Sequence, residues 1–89
     1  MPCVHFTGHL RRSGPSEPVD VRADTVGQAL ETIFQDYPEL RPYVLDDHNR
    51  LRRNIAVFVD GYRSPRTDEL AHALHAAARI HVVPALAGG

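Results

Sequence analysis

The chain has 89 residues, of which 43% are hydrophobic and 24% charged, and its formal net charge is −1. This composition is typical of one small globular domain with a single core, and it excludes a disordered segment. No apolar run approaches the roughly 20 residues of a membrane-spanning helix. The near-neutral charge offers no basic face for nucleic acid. The N-terminal residues lack the basic and apolar regions of a secretory signal, so we expect a cytoplasmic protein with no membrane or nucleic-acid partner.

The basic residues and the cysteine restrict the side-chain chemistry further. All ten basic residues are arginine, so the chain has no lysine amine for an isopeptide bond, and polymers built on its own lysines are impossible. The single cysteine, Cys3, excludes an intramolecular disulfide. No reactive motif surrounds Cys3, so we expect it to be an ordinary strand residue.

The first 22 residues predict a β-hairpin. Val4, Phe6 and Leu10 fall on one face of an alternating pattern. A turn cluster follows at residues 13–16, and the alternation resumes over residues 18–22.

An amphipathic helix is predicted next. Thr25 followed by Gln28 has the spacing of a capping box, which marks the N-terminus of a helix. The apolar residues that follow recur at three- and four-residue steps and form one stripe: Val26, Ala29, Leu30, Ile33 and Phe34. Pro38 should end this helix. Residues 38–45 then predict a short helical turn, and residues 46–49 a polar loop.

Two further strands are predicted in the second half of the chain. The inward face of the first consists of alternate apolar residues: Ile55, Val57 and Val59. Asp60-Gly61 directly after it is a strong signal for a tight hairpin turn. The second strand covers Ile80 to Val83 and should end at Pro84, which has no N–H to donate to a ladder.

Residues 67–78 are compatible with two structures. Thr67-Asp68-Glu69 is able to cap a helix that carries Leu70 and Leu74, with good helix formers at 76–78. The alternative is a short turn that leads directly into the last strand.

The C-terminal half resembles a known family. The run Asn54-Ile55-Ala56-Val57-Phe58-Val59-Asp60-Gly61 is similar to the third strand and turn of the ThiS/MoaD sulfur carriers. Leu70, Leu74, the strand from Ile80 to Val83 and the ending Pro84-Ala85-Leu86-Ala87-Gly88-Gly89 follow at similar spacing. The cysteine-biosynthesis carriers share a Pro-Ala-x-Ala-Gly-Gly ending, so the resemblance is greatest to that type.

The resemblance implies an α+β fold of the β-grasp (ubiquitin-like) type, with a mixed sheet of about five strands packed on one main helix. It divides the chain into a β-grasp domain at 1–84 and a flexible Gly-Gly tail at 85–89. In the family a tight turn with glycine precedes the last strand. Here three alanines, Ala76 to Ala78, stand in that place.

The resemblance also implies a carrier rather than an enzyme. An E1-like adenylyltransferase/sulfurtransferase would use ATP to convert the Gly89 carboxylate into an acyl-adenylate. Sulfur would then displace AMP and leave a thiocarboxylate, which serves a sulfur-accepting synthase. Such a carrier binds no cofactor of its own, because its partner uses the ATP.

Two groups of residues are expected to contact these partners. In the tail, Gly88 lets the backbone approach closely and Leu86 is able to anchor the arm, with Ala87 between them. Leu86 could equally be an incidental exposed leucine. On the sheet, alternation places Ala56 and Phe58 outward, and likewise His81 and Val83. Phe58, His81 and Val83 would then form an exposed apolar patch, unless nearby arginine stems cover Phe58.

The six histidines do not predict a metal site. His5, His9 and His81 share the expected outer face, and His72 and His75 are three residues apart. None of them belongs to a Cys-x-x-Cys or His-Glu-x-x-His motif, so we expect no bound metal.

Three other functions remain open. The small subunit of molybdopterin synthase has the same tail chemistry, but its endings more often read Pro-Pro-x-x-Gly-Gly. A ubiquitin-like modifier would use Gly89 to form isopeptide bonds with the lysines of target proteins. A plain interaction module would have an inert tail.

Overall fold

A mixed sheet packed on one main helix makes up the part of the chain that the computed structural model describes, residues 1–64 and 69–84. The strands and helices are, in chain order, β1 (Cys3–Phe6), β2 (Val19–Asp20), α1 (Val26–Asp36), α2 (Arg41–Val44), β3 (Ile55–Val59), β4 (Tyr62–Arg63) and β5 (Arg79–Pro84). Short 3₁₀ turns cover Gly8–Arg12, Pro38–Leu40 and Glu69–Ala71.

The strand order in the sheet is β2-β1-β5-β3-β4. The first and last strands, β1 and β5, lie side by side and parallel, and the other neighbouring pairs are antiparallel. The central β5 therefore has β1 on one side and β3 on the other. This arrangement confirms the predicted α+β architecture with a mixed five-stranded sheet.

Helix α1 begins and ends where the sequence predicts. The Thr25 Oγ1 accepts a hydrogen bond from the Gln28 N–H at 3.2 Å. The Gln28 Oε1 accepts one from the Asp24 N–H at 2.9 Å, so both residues of the capping box cap the helix. The helix ends at Asp36, before Pro38.

One apolar layer between α1 and the sheet forms the core. All five residues of the predicted helix stripe are buried in it. The sheet contributes its inward side chains: Val4, Phe6, Ile55, Val57, Val59, Ile80 and Val82. Burial of this layer is the main favourable contribution to folding.

The N-terminal hairpin is confirmed, with one difference. Cys3 pairs with Asp20 and Val4 with Val19, as antiparallel neighbours. Leu10 does not continue β1, which ends at Phe6. Leu10 lies instead in the 3₁₀ turn Gly8–Arg12, where its side chain is fully buried. The alternating pattern grouped Leu10 with the strand residues because a side chain in a turn can be buried in the same core as the side chains of the preceding strand.

The hairpin between β3 and β4 has the tight turn that Asp60-Gly61 predicts. Val59 pairs with Tyr62, which leaves two residues in the loop. Their φ angles are +52° at Asp60 and +86° at Gly61, as required by a type I′ turn.

The segment before β5 is a short turn, not a helix. Between residue 69, where the described part of this segment begins, and the start of β5, only Glu69–Ala71 is helical, as a single 3₁₀ turn. Ala73 forms an isolated bridge with Thr25, and the Leu74 N–H donates to the Asp24 carbonyl at 2.8 Å. These contacts hold the backbone in an extended conformation against the start of α1. The possible helix cap at 67–68 lies outside the described residues.

The alanines before β5 make their turn without glycine. The His75 carbonyl accepts a hydrogen bond from the Ala78 N–H at 3.1 Å, and the His75 Nδ1 lies 3.2 Å from the Ala77 N–H. Among the described non-glycine residues, only Asn49 and Asp60 have positive φ angles. The turn therefore needs no residue in the left-handed region, so alanine is tolerated there.

Candidate functional site

The sheet face opposite α1 carries a row of side chains that crosses four strands. His5 pairs with His81, His81 with Phe58, and Phe58 with Arg63. Val83 lies two residues further along β5, on the same face as His81. The structure thus brings together Phe58, His81 and Val83, the sheet residues expected to contact a partner.

This face is less open than alternation suggests. Phe58, His81 and Val83 are each half-buried, not exposed. Ala56, also expected to point outward, retains only 4% of its accessible surface, and its register partner is Val83. Arg63 is exposed and is the register partner of Phe58 on β4. The result is a shallow apolar surface bordered by a cationic side chain.

The two histidines of the row stack on each other. Their ring centroids are 4.4 Å apart and the ring planes are inclined by 18°. Burial lowers the pKa of His81, and the neighbouring His5 and Arg79 lower it further. This lowered pKa favours the neutral form of His81, which suits an apolar contact surface.

Cys3 extends this cluster towards β2. Its Sγ lies 3.7 Å from the His5 Nε2. Burial raises the pKa of the Cys3 thiol above its usual range, and the nearby Asp20 carboxylate raises it further. Because the thiolate is the nucleophile, this environment does not activate Cys3 as a reactive sulfur.

A cleft of about 380 Å³ opens beside the stacked histidines. His5 and His81 form one wall, and the turn after β1 together with residues 16–18 forms the other. The Arg11 side chain lines the cleft and donates a hydrogen bond to the Ser16 carbonyl at 3.1 Å. The surface around Phe58 thus continues into a concave margin that carries both Arg11 and Glu17.

The end of β5 determines where the chain leaves this face. Pro84 is half-buried and pairs with Ile55 on β3. On its other side it contacts Gly8, in the turn after β1. The predicted tail residues Leu86, Ala87, Gly88 and Gly89, and the whole segment 85–89, lie outside the described residues.

The histidines do not gather into a metal-binding cluster. Over residues 1–64 and 69–84, no three His, Cys, Asp or Glu side chains are placed to hold one ion. His9 lies apart from the row, with its ring edge-on to Tyr43 at 6.3 Å. Within the same residues, no helix is long and apolar enough to cross a membrane.

Two contacts of this region could not be inferred from sequence patterns. The Gly8–Pro84 contact joins residues that are remote in sequence, and no local motif marks it. The His75 Nε2 lies 2.6 Å from an Asp60 carboxylate oxygen, which ties the turn before β5 to the β3–β4 turn. For the contact between His75 and Asp60, the sequence shows only that alanines stand near His75 where the family has a turn glycine.

The fold and the sequence match known proteins. The model of the ThiS family matches residues 4–89. SAMP1, the small archaeal modifier protein 1 of Haloferax volcanii, is similar in structure, with 27% identity, a TM-score of 0.79 and coverage of 99% of this chain and 98% of that chain.

Two less identical structures share the fold. CysO of Mycobacterium tuberculosis is 19% identical, with a TM-score of 0.84 and coverage of 97% of this chain and all of that chain. A chain of the Amycolatopsis orientalis BexX/CysO complex is 20% identical, with a TM-score of 0.86 and complete coverage of both chains. No protein with curated annotation gives a significant match. Since the family model spans nearly the whole sequence, the chain belongs to the ThiS family, the ubiquitin-like β-grasp carrier proteins that its sequence resembles.

Proposed function

We propose that this chain is a sulfur carrier whose Gly89 carboxylate is adenylated and then converted to a thiocarboxylate. The observation that supports this most directly is the extent of the family match, which runs through Gly88 to Gly89. The partners would be an E1-like adenylyltransferase/sulfurtransferase and a sulfur-accepting synthase, in the cytoplasm.

The chemistry requires a partner because a carboxylate is a poor electrophile. Adenylation replaces one difficult substitution by two easier ones, with AMP as the leaving group. A sulfur nucleophile then displaces AMP at the Gly89 carbonyl carbon. The chain itself supplies the reacting end and a docking surface, and the partner supplies ATP and the catalytic side chains.

The surface around Phe58, His81 and Val83 is the docking surface in this proposal. Its centre is apolar and half-buried, and its margin carries Arg63 and Arg79, which are both exposed. A half-buried aromatic residue with exposed arginines at its edge has the composition of a protein contact site. β5 carries two of the three central residues and also leads into the tail.

The proposed pathway is the biosynthesis of cysteine or of a sulfur-containing metabolite. The basis is the Pro-Ala-x-Ala-Gly-Gly ending and the fold shared with the two CysO structures. The small subunit of molybdopterin synthase is less favoured, because Ala85 stands where those endings more often have a second proline.

A ubiquitin-like modifier is the second candidate. The specific observation in its favour is the 27% identity to SAMP1, whose structure is described as that of a small archaeal modifier protein. Gly89 would then be joined to lysines of other proteins, since this chain has none of its own.

An adenylation assay tests the proposal. The purified chain is incubated with an E1-like enzyme from the same organism, unlabelled ATP and labelled pyrophosphate, and formation of labelled ATP reports reversible adenylation. The full chain should support the exchange, and a chain lacking Gly88 and Gly89 should not. Equal exchange with both chains would contradict the proposal. Lysine-linked adducts in cell extract, in place of a thiocarboxylate, would favour the modifier.

A further inference from the structure

Gly8 occupies a position that a side chain cannot enter without moving Pro84. Its φ angle is +60°, and an ideal Cβ built on it would lie 2.8 Å from the Pro84 Cγ. An ordinary carbon–carbon contact is about 3.5–4.0 Å. The absence of a side chain at Gly8 thus allows the proline ring to lie against the backbone of the turn after β1.

The two residues meet because β1 and β5 are parallel neighbours. The last pair of their ladder is Phe6 with Val82, and the Thr7 N–H donates to the Val82 carbonyl at 3.2 Å. Gly8 and Pro84 each lie two residues further along the chain, Gly8 in the turn after β1 and Pro84 at the end of β5. Pro84 has no N–H to continue the ladder, so ring packing replaces a hydrogen bond at this step.

Pro84 is restricted on both sides. On the β3 side its register partner is Ile55, which is fully buried in the core. On the β1 side it meets Gly8. The proline ring also fixes its own φ angle near −65°. The backbone at the end of β5 therefore has little freedom, and Ala85 follows it directly.

We propose that Gly8 is a positioning residue for the tail. Its contact with Pro84 would set the point and direction in which residues 85–89 leave the sheet, so that Gly89 reaches the partner's active site while the Phe58 surface is docked. This inference rests on the proposed function. A displacement of reacting groups by about 1 Å can cost on the order of 10²-fold in rate, so a small change at the base of a short arm is sufficient to matter.

Gly8→Ala is the test variant, and Gly61→Ala is its matched control. Gly61 also has a positive φ angle, +86°, but an added Cβ would meet no atom within 4 Å. Both substitutions place a side chain at a positive φ angle, and the angle of Gly61 lies further from the left-handed region open to other residues, so the control carries at least as much backbone strain. Only Gly8→Ala displaces Pro84. Pro84→Ala and the double variant Gly8→Ala/Pro84→Ala complete the set, because they remove the ring that the new Cβ would strike.

Adenylation kinetics separate a positioning role from a loss of folding. A less stable fold lowers the concentration of competent carrier, which raises the apparent KM and leaves kcat unchanged. A misdirected tail lowers kcat, because the docked complex reacts more slowly. We expect Gly8→Ala to lower kcat several-fold and Gly61→Ala to leave it unchanged, with the double variant no slower than Pro84→Ala alone. Equal kcat in Gly8→Ala and Gly61→Ala would overturn the inference.

NMR of the free protein provides a readout that does not depend on adenylation. The Ala85 amide signal should shift in Gly8→Ala and stay in place in Gly61→Ala. If it stays in place in both, the contact does not control the base of the tail and the inference is wrong. If it shifts as expected but the wild-type chain is not adenylated, the proposed function fails and the positional coupling stands.

Discussion

Phe58 on β3 lies directly opposite His81 on β5, on the sheet face that α1 leaves uncovered. Both side chains are half-buried, whereas the residue before Phe58, Val57, is fully buried against the helix. Strand β3 thus has a candidate docking residue on one face and a core residue on the other. Substitution of these adjacent residues tests docking and folding separately.

Substitution of Phe58 by arginine should weaken binding of the activating enzyme without unfolding the domain. An arginine stem can still lie along the sheet with its charge in solvent. Val57→Arg should instead lower the free energy of unfolding by several kcal/mol, because it buries an unpaired charge. Thermal denaturation measures stability, and adenylation at varied carrier concentration measures binding. Similar destabilisation by both variants would contradict the assignment of the strand faces.

Acidification should destabilise the domain through His81. Its pKa lies below the ordinary value of 6.5 because of burial first, and then because of His5 and Arg79. As the pH falls below 6.5, the unfolded chain binds a proton at this position before the folded protein does. The contribution to stability is therefore complete above that value and is lost as the pH falls through the lowered pKa of the folded state.

The measurement is urea denaturation from about pH 7.5 to about pH 5, the range in which histidines titrate. His81→Gln should reduce the dependence of stability on pH. An unchanged dependence in His81→Gln would show that the stacked pair does not control it.

Asp60 should be more tolerant of asparagine than of alanine. Its carboxylate accepts a hydrogen bond from the Arg79 N–H at 2.9 Å and pairs with His75, and both contacts lower its pKa. Its φ angle is +52°, which asparagine adopts more readily than alanine. Denaturant midpoints should fall in the order wild type, Asp60→Asn, Asp60→Ala. A lower midpoint for Asp60→Asn than for Asp60→Ala would contradict this account of the turn.

Leu86 should contribute to capture of the tail by the activating enzyme. Complete burial of a leucine is worth roughly 1.5–3 kcal/mol, and a tenfold change in affinity corresponds to about 1.4 kcal/mol. Leu86→Asp should therefore raise the carrier concentration for half-maximal adenylation about tenfold or more, and Ala87→Ser should raise it less. If Leu86→Asp behaves like the wild type, recognition depends on the sheet face alone.

The sequence was most informative where the structure follows from local contacts. The stripe of α1, the Thr25 cap and the Asp60-Gly61 turn are each specified by neighbouring residues, and all of them are confirmed. Residues 67–78 were ambiguous because contacts remote in sequence, those of Ala73 and Leu74 with the start of α1, determine the path of the described part of this stretch. Leu74 would suit a helix equally well by periodicity.

The residues of the candidate docking surface were likewise predictable in part from the local sequence pattern. Alternation placed Phe58, His81 and Val83 on one face, but it could not show how far their neighbours cover them. The stacking of His81 on His5 depends on the parallel register of β1 and β5, which pairs residues remote in sequence. The Gly8–Pro84 contact depends on the same register.

Intact-mass measurement of the product tests the central claim most directly. The chain is incubated with its E1-like enzyme, ATP, a persulfide sulfur donor and a thiol that reduces the resulting acyl disulfide to the thiocarboxylate, and its mass is compared before and after. A sulfur carrier should gain the difference between one sulfur and one oxygen atom, located at Gly89 by fragmentation, and the chain without Gly88 and Gly89 should gain nothing. An unchanged mass of the full chain under conditions in which the enzyme adenylates it would contradict the sulfur-carrier account.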